Sequence, residues 1–186
     1  MRNEDITMRT LPRAGLLAVS ISLTASCGLG PTPNQERARE QAIQDCSAGT
    51  FDFTAMSDTQ PLGRSDALYQ KMIEATGNKQ SVSMLDLTNS AGWSDEWDRM
   101  VGVWEDAERD ELNSRAQTPG YCWKGLPSNS GMSDRPSDGF YLFIRDNEPV
   151  QFVRYRPDVY PIQLLPGAVV TKKTVLGMSG SKLQPE

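Results

Sequence analysis

The sequence predicts an α+β fold: a small antiparallel or mixed sheet with a strand-helix-hairpin core, and two additional helices nearer the N-terminus. A strand-like run at residues 97–105 leads directly into a short amphipathic helix at 107–116. Two apolar and aromatic runs, 140–145 and 150–156, flank a short turn at 146–148 and predict an antiparallel hairpin. Upstream, two stretches that begin at a capping residue and end at glycine predict the helices.

The chain begins with an apolar run that is typical of an export signal. Residues 14–25 carry no charge, and three arginines and two acidic residues precede them. The run suits the core of a signal peptide and is too short for a membrane-spanning helix, which needs about 20 apolar residues. We therefore expect residues 1–26 to be removed on export, with translation starting at Met1 or Met8.

The apolar run ends in Leu23, Thr24, Ala25, Ser26 and Cys27. This segment resembles the lipobox of bacterial prolipoproteins, in which small residues precede a cysteine that receives a diacylglycerol. That family usually has leucine three positions before the cysteine, where this chain has Thr24. The resemblance implies lipidation of Cys27 and a mature protein anchored to the extracytoplasmic face of the cell membrane. Thr24 and Ser26 also fit ordinary signal peptidase, which would release a secreted protein.

A single domain is expected after the leader. Residues 27–33 are rich in glycine and proline and predict a tether, residues 34–175 the domain, and residues 176–186 a flexible tail. The mature chain is long enough for one domain with its own core. The net charge of -5 disfavours binding to nucleic acid or to anionic lipid headgroups, so acyl chains would supply the contact with the membrane.

The two cysteines other than Cys27 predict a disulfide. Cys46 and Cys122 form an even pair, and in an oxidising compartment such a pair is expected to be bridged. The bridge would tie the first helix to the middle of the domain. Two buried free thiols are the alternative if the protein is not exported.

Four elements are expected before the strand-helix-hairpin core, and capping or turn residues bound them. They are a helix over residues 35–47, a short strand or extended arm over 50–56, a helix over 65–77 and a bulged strand over 81–87.

The core and the C-terminal region carry four further expectations. Gly102 inside the central strand indicates a bulge or a close backbone approach. Residues 121–123 place Cys122 between two aromatic residues and are expected to be buried. Residues 124–138 are almost free of apolar side chains and predict a long surface loop. Prolines interrupt the region after the hairpin, so at most one more strand is expected, over residues 168–175.

The order strand, helix, hairpin over residues 97–156 resembles uncharacterised bacterial lipoproteins. Those proteins share a Trp-Asp-Arg strand, here Trp97, Asp98 and Arg99, and a closing hairpin. The arrangement is more distantly similar to small envelope-assembly lipoproteins that place a helix against a three-stranded sheet. The resemblance implies no activity, because a fold does not determine a function.

The sequence contains no histidine, which removes the commonest general base and every Ser-His-Asp or Cys-His arrangement. Acidic residues concentrate between positions 95 and 111, but they lack the ligand spacing and the glycine of a calcium loop. We expect them to form a solvated face, with a site for a ligand or partner as the alternative. No catalytic residue, cofactor or metal site is predicted.

The candidate binding residues are of three kinds. Tryptophans offer a platform for a sugar or peptide, acidic residues offer a counter-charge, and arginines pair with an acidic partner or an anionic glycan. The alternatives are core packing for the tryptophans and a polar sheet face for the arginines. The candidates are Trp97, Asp98, Glu105, Trp123, Arg154 and Arg156.

The function expected from these features is that of a membrane-anchored lipoprotein of the cell envelope. Its domain would be a non-enzymatic interaction or binding module that contacts an envelope protein or a wall polymer through the hairpin and the long loop. The alternative is a small-ligand or wall-polymer binding protein, or a carboxylate-based hydrolase. That alternative requires a cavity holding Trp97 or Trp123 beside Asp98 or Glu105.

Overall fold

The structure is a computed structural model that describes residues 46–55, 60–105, 107–127, 138–156 and 158–186. The expected leader, Cys27, the tether and all but the end of the first expected helix lie outside these residues. Within them the chain is an α+β fold with mainly antiparallel sheets, as predicted, and the first of the two N-terminal helices stays a prediction.

The described part of the chain contains three helices and nine strands, and the last six strands follow the third helix without another helix between them. The helices are α1 (Ser65–Asn78), α2 (Met84–Ser90) and α3 (Arg109–Ala116). The strands are β1 (Gly49–Asp52), β2 (Val82–Ser83), β3 (Arg99–Val103), β4 (Tyr121–Lys124), β5 (Gly139–Arg145), β6 (Glu148–Tyr155), β7 (Val169–Thr171), β8 (Val175–Ser179) and β9 (Lys182–Pro185).

A four-stranded antiparallel sheet in the order β6-β5-β3-β7 forms the centre. The predicted hairpin is confirmed, and the predicted central strand is confirmed over the shorter range Arg99–Val103, with Val101 opposite Leu142 and Leu142 opposite Phe152. Asp146 and Asn147 join β5 to β6 with φ angles of 51° and 63°. A two-residue loop with both φ angles positive matches the right-handed twist of the two strands, and it favours asparagine and aspartate.

Both faces of the central sheet are buried, because side chains alternate along each strand. Met100 and Phe143 face a core cluster that also contains Leu68 of α1 and Leu87 of α2. The small sheet β2-β8-β9 contributes to the same cluster. On the opposite face, the neighbouring residues of β3 and β5 pack with α3 and with the segment that follows β1. The sheet is therefore covered on both sides.

The predicted second helix is confirmed as α1. Leu68 and Met72 lie one turn apart and are fully buried, and Lys79 ends the helix in a left-handed conformation with φ of 52°. The predicted helix after the central strand is also confirmed, and it begins two residues later than expected. Leu112 and Ala116 of α3 are its buried residues, as the spacing predicts.

The bulged strand predicted over residues 81–87 is wrong, because only Val82 and Ser83 are in a strand and α2 begins at Met84. The Ser83 hydroxyl accepts the Asp86 N–H at 3.0 Å and donates to the Asp86 carboxylate at 2.6 Å. This reciprocal cap starts a helix at the residue that follows Ser83. Alternation of apolar residues alone misses this signal.

The flexible tail predicted over residues 176–186 is also wrong, as is the limit of one further strand. β7 lies in the expected region, and β8 and β9 form an additional hairpin. Leu176 and Leu183 are 0% exposed and belong to the core cluster of α1 and α2. Each short strand buries so few apolar side chains that no hydrophobic period appears in the sequence.

The predicted disulfide is confirmed between Cys46 and Cys122, whose Cα atoms are 5.3 Å apart. β1 pairs in parallel with β4 beside it, with Thr50 opposite Cys122. Residues 121–123 are half-buried and not buried as expected, because this two-stranded sheet covers an edge of the core. Most of the predicted long loop, residues 128–137, lies outside the described residues. No helix in the described ranges is long and apolar enough to cross a membrane.

Candidate functional site

The Trp-Asp-Arg segment has structural contacts at each of its positions, and of its three residues Arg99 lies in β3. Trp97 is 0% exposed, and its ring meets Phe143 edge-on with centroids 5.3 Å apart. An Asp98 carboxylate oxygen accepts the N–H of Asp146 at 2.7 Å, in the turn of the central hairpin. Trp97 and Asp98 thus support the core and the hairpin turn.

Arg99 connects the same turn to the end of α3. Its Nε and Nη2 donate to the Ala116 carbonyl at 2.9 and 2.6 Å, and Nη2 also donates to the Asn147 side chain at 2.7 Å. The last carbonyls of a helix have no intrahelical partner, and a cation near them is favourable. The three residues therefore join β3, α3 and the hairpin turn.

Trp123 is half-buried, and its ring packs against the core residues on the α3 side of the central sheet. Its ring stacks against Phe53 and Tyr121, each at a centroid distance of 6.0 Å. Its Nε1–H donates to the Asn113 side chain at 3.0 Å, which fixes the indole against α3. The packing alternative applies to Trp123 as it does to Trp97.

Arg154 and Arg156 are exposed cations on and just after the edge strand β6. Arg154 lies 3.9 Å from Asp138, and Arg156 lies 3.6 Å from Asp158. Exposed ion pairs of this kind contribute about 0–1 kcal/mol to stability. Arg154 also lines a second cleft, together with Phe51 and Phe152.

Among the candidate binding residues, Glu105 lines a cleft whose wall contains one tryptophan and three tyrosines. The cleft has a volume of about 300 Å³ and is open to solvent on one side. Three separate segments form it: the end of β3, the start of β5 with the end of β6, and the chain that follows. We call it the aromatic cleft, and its lining residues are Gly102, Trp104, Glu105, Gly139, Tyr141, Tyr155, Tyr160, Ile162, Gln163 and Leu164.

Two strand glycines make room for the aromatic rings. A Cβ atom at Gly102 would lie 2.8 Å from Cζ3 of Trp104, closer than carbon atoms pack. A Cβ atom at Gly139 would overlap the phenol end of Tyr155. The prediction of a close approach at Gly102 is thus confirmed, and the approaching group is an indole.

The tyrosines of the aromatic cleft form a connected wall. The buried Tyr141 hydroxyl donates to the Ile162 carbonyl at 2.7 Å and accepts the Ile162 N–H at 3.0 Å, which holds the last lining segment against the sheet. The Tyr155 ring lies between Tyr141 and Tyr160, with centroid distances of 4.5 and 6.2 Å. Burial raises the pKa of Tyr155 to about 12, so its hydroxyl is protonated at neutral pH.

Two of the aromatic rings each have a cation over one face. The Arg115 guanidinium carbon lies 4.4 Å from the Trp104 ring centroid, and Nη1 donates to the Gly102 carbonyl at 3.0 Å. The Lys182 ammonium lies over the Tyr160 ring. Burial lowers the pKa of Arg115, but a guanidinium stays protonated in proteins. Positive charge therefore adjoins both rings.

The polar groups of the aromatic cleft have hydrogen-bonding capacity left over. Among the described residues, none donates to or accepts from the Glu105 carboxylate, the Gln163 carboxamide, or the Tyr155 and Tyr160 hydroxyls. These groups include both donors and acceptors. The arrangement can hold a small ligand that has an apolar face and several hydroxyl or amide groups.

Sequence reasoning missed most of this cleft. Of its lining residues, Glu105 is among the candidates from the sequence, and Trp104, Tyr155, Tyr160 and Gln163 are not. The one available signal was Gly102, a strand glycine near aromatic residues. In the parts of the chain that the structure describes, no group of three or more cysteine, aspartate or glutamate side chains could hold a metal ion.

No protein-family model matches the chain, and the comparisons with curated proteins and with solved structures found no match.

Proposed function

We propose that the protein is a non-enzymatic binding module of the bacterial cell envelope and that the aromatic cleft takes its ligand. Acyl chains on Cys27 would anchor the mature chain to the extracytoplasmic face of the membrane. The lipobox-like segment supports the anchor. The disulfide between Cys46 and Cys122 supports an oxidising compartment, because such bridges are rare in the cytosol.

A single observation carries the assignment to the aromatic cleft. Trp104, Tyr155 and Tyr160 line a concave site in which Glu105 and Gln163 have no hydrogen-bond partner among the described residues. Concave sites with mainly apolar walls and a few polar groups are typical of ligand binding. Of the other candidate binding residues, none lines this cleft; they are Trp97, Asp98, Trp123, Arg154 and Arg156.

Binding is favoured over carboxylate-based hydrolysis. Glycoside hydrolysis commonly needs two carboxyl groups about 5–10 Å apart on either side of the scissile bond. Of the described residues that line the aromatic cleft, Glu105 alone carries a carboxyl group. A single carboxylate can orient a hydroxyl group of the ligand, which is a binding role.

The anchor is tested by incorporation of radiolabelled palmitate in cells. Wild type and Cys46→Ser are expected to be labelled, and Cys27→Ala is expected to be unlabelled. Cys46→Ser is the matched control, because it removes a different cysteine outside the lipobox-like segment. Equal labelling of Cys27→Ala and wild type would overturn the anchor, and it would leave the cleft assignment standing.

Ligand binding is tested with the full mature chain and soluble fragments released from the cell wall. We expect the fragments to raise the melting temperatures of wild type and of Tyr121→Ala. The melting temperature of Tyr160→Ala should be the same with and without the fragments. Both variants remove one partly buried tyrosine ring, but only Tyr160 lines the aromatic cleft. A shift that persists in Tyr160→Ala would place the binding site elsewhere, and the absence of a shift in wild type would count against a wall-derived ligand.

A further inference from the structure

We propose that the ligand of the aromatic cleft is a neutral sugar ring, a pyranoside that stacks its C–H face on the aromatic walls, and not a cationic group. This inference rests on the proposed function, since it takes the cleft to be the binding site. It is carried by the charges that adjoin the rings, by the unpaired polar groups and by the size of the cleft.

The rings themselves argue against a cationic ligand. An aromatic face attracts a cation through its quadrupole, which is how quaternary ammonium groups are held in aromatic cages. Here Trp104 and Tyr160 already have an internal cation over one face, Arg115 and Lys182 respectively. A ligand cation on the other face would meet a weakened quadrupole and direct repulsion from those charges. The rings remain suitable for C–H groups, which carry no net charge.

An anionic ligand is disfavoured by the remaining charge. Glu105 lines the aromatic cleft and has no cationic partner among the described residues. A phosphate or carboxylate on the ligand would approach this carboxylate in a partly desolvated site, where repulsion is stronger than in water. A ligand of either charge is therefore repelled by part of the cleft, whereas a neutral ligand meets no charge repulsion.

The unpaired polar groups suit hydroxyl groups. Each hydroxyl of a sugar is both a donor and an acceptor. The Glu105 carboxylate accepts, the Tyr155 and Tyr160 hydroxyls donate and accept, and the Gln163 carboxamide offers both kinds of atom. A planar aromatic metabolite would stack as well, but it would leave most of these groups without partners.

The size of the aromatic cleft limits the ligand. Its volume of about 300 Å³ is at the lower end for ligand sites, which span about 300–1,000 Å³. This space admits a single sugar ring, and the open side would let a longer polymer continue into solvent. The site thus suits a single residue of a glycan.

The test is a titration of the full mature chain monitored by tryptophan fluorescence and by ligand-observed NMR. The neutral probes are the methyl glycosides of glucose, galactose, mannose and N-acetylglucosamine. The charged probes are choline, N-acetyl-lysine amide and glucose 6-phosphate. We expect at least one neutral glycoside to bind and every charged probe to bind more weakly than it does.

Two substitutions tie the binding to the aromatic cleft. Trp104→Ala removes a stacking wall and should weaken binding of the neutral probe by about twofold to tenfold. Gln163→Ala removes a half-buried carboxamide that forms no hydrogen bond with another described residue, so this variant should keep the fold. It therefore tests the cleft even if Trp104→Ala destabilises the protein. Tyr121→Ala is the control, and its affinity should equal that of wild type.

Failure of this inference and failure of the proposed function give different results. Preferential binding of choline or lysine amide, lost in Gln163→Ala, would overturn the sugar assignment and keep the cleft as the binding site. A neutral glycoside that binds wild type and Gln163→Ala equally would overturn the inference, because the sugar would then bind elsewhere. If all seven probes fail while wall fragments still shift the melting temperature through Tyr160, the assignment to a single neutral pyranoside is wrong.

Discussion

Arg99→Met is the substitution that best separates a structural from a functional reading of the Trp-Asp-Arg strand. Methionine keeps part of the apolar stem and removes the guanidinium that donates to Ala116 and Asn147. Hydrogen bonds from charged groups contribute about 1.5–3 kcal/mol each when judged by deletion. Arg99 is half-buried, so solvent replaces part of the loss, and we expect a decrease of about 2 kcal/mol in the free energy of unfolding.

The matched control is Arg145→Met. Arg145 is on the neighbouring strand β5 and forms an exposed ion pair with Glu96 at 2.9 Å. Exposed pairs contribute about 0–1 kcal/mol, so this variant should lose less than half as much stability as Arg99→Met. For a domain of this size, the expected loss in Arg99→Met lowers the melting temperature by about 4–8 °C.

The measurement is urea unfolding monitored by tryptophan fluorescence, with the denaturant slope compared among the three proteins. An unchanged slope shows that the change is one of stability and not of compactness. Equal losses in Arg99→Met and Arg145→Met would refute the structural role of Arg99. A loss of glycoside affinity in Arg99→Met without a loss of stability would indicate that the Trp-Asp-Arg segment takes part in ligand binding.

Three further predictions follow from the covalent link, the C-terminal strands and the buried phenol. Reduction of the disulfide, which spans a sequence separation of 76, should cost about 4 kcal/mol of unfolding free energy, and Cys122→Ser should make the protein insensitive to reductant in urea titrations. Leu183→Ala should cost about 2–5 kcal/mol and Val175→Ala, at 40% exposure, much less; equal effects in thermal melts would contradict the placement of the last strand in the core. Burial raises the pKa of Tyr155 to about 12, so the folded state holds the phenol proton more tightly than the unfolded state, whose pKa is about 10. The stability that this difference contributes is fully present below about pH 10 and is lost as the pH rises towards 12. Tyr155→Phe should therefore lose less stability than wild type between these pH values in alkaline unfolding, and parallel curves would exclude the effect.

The parts of the fold that were predictable have a local signal. The hairpin β5–β6 has two long apolar runs around a turn that favours aspartate and asparagine, and α1 has apolar residues one turn apart. β3 and α3 combine a strand pattern with an amphipathic helix. Each of these signals is complete within about a dozen neighbouring residues, so it can be recognised without knowing what the element packs against.

The elements that the sequence did not predict are stabilised by single caps or by contacts with distant parts of the chain. α2 depends on the reciprocal cap between Ser83 and Asp86, which competes with an alternating pattern that also fits a strand. β8 and β9 each bury one leucine against the distant helices α1 and α2. Short strands with one or two buried residues have no period, so burial becomes visible only when the packing partner is in place.

The sequence by itself determined the α+β class, the central strand with its helix, and the hairpin, because these features follow from composition and local periodicity. It predicted the pairing of Cys46 with Cys122 on the expectation of export, and the structure confirms that pair. Tertiary structure alone decided the aromatic cleft and the structural role of the Trp-Asp-Arg strand. Trp104 precedes Tyr155 and Tyr160 by about fifty residues in the chain, and strand pairing makes it their neighbour. Strand pairing likewise places Asp98 and Arg99 beside a turn that lies almost fifty residues further along the chain. Contacts between distant segments depend on which surfaces the folded core brings together, and no local pattern records that choice.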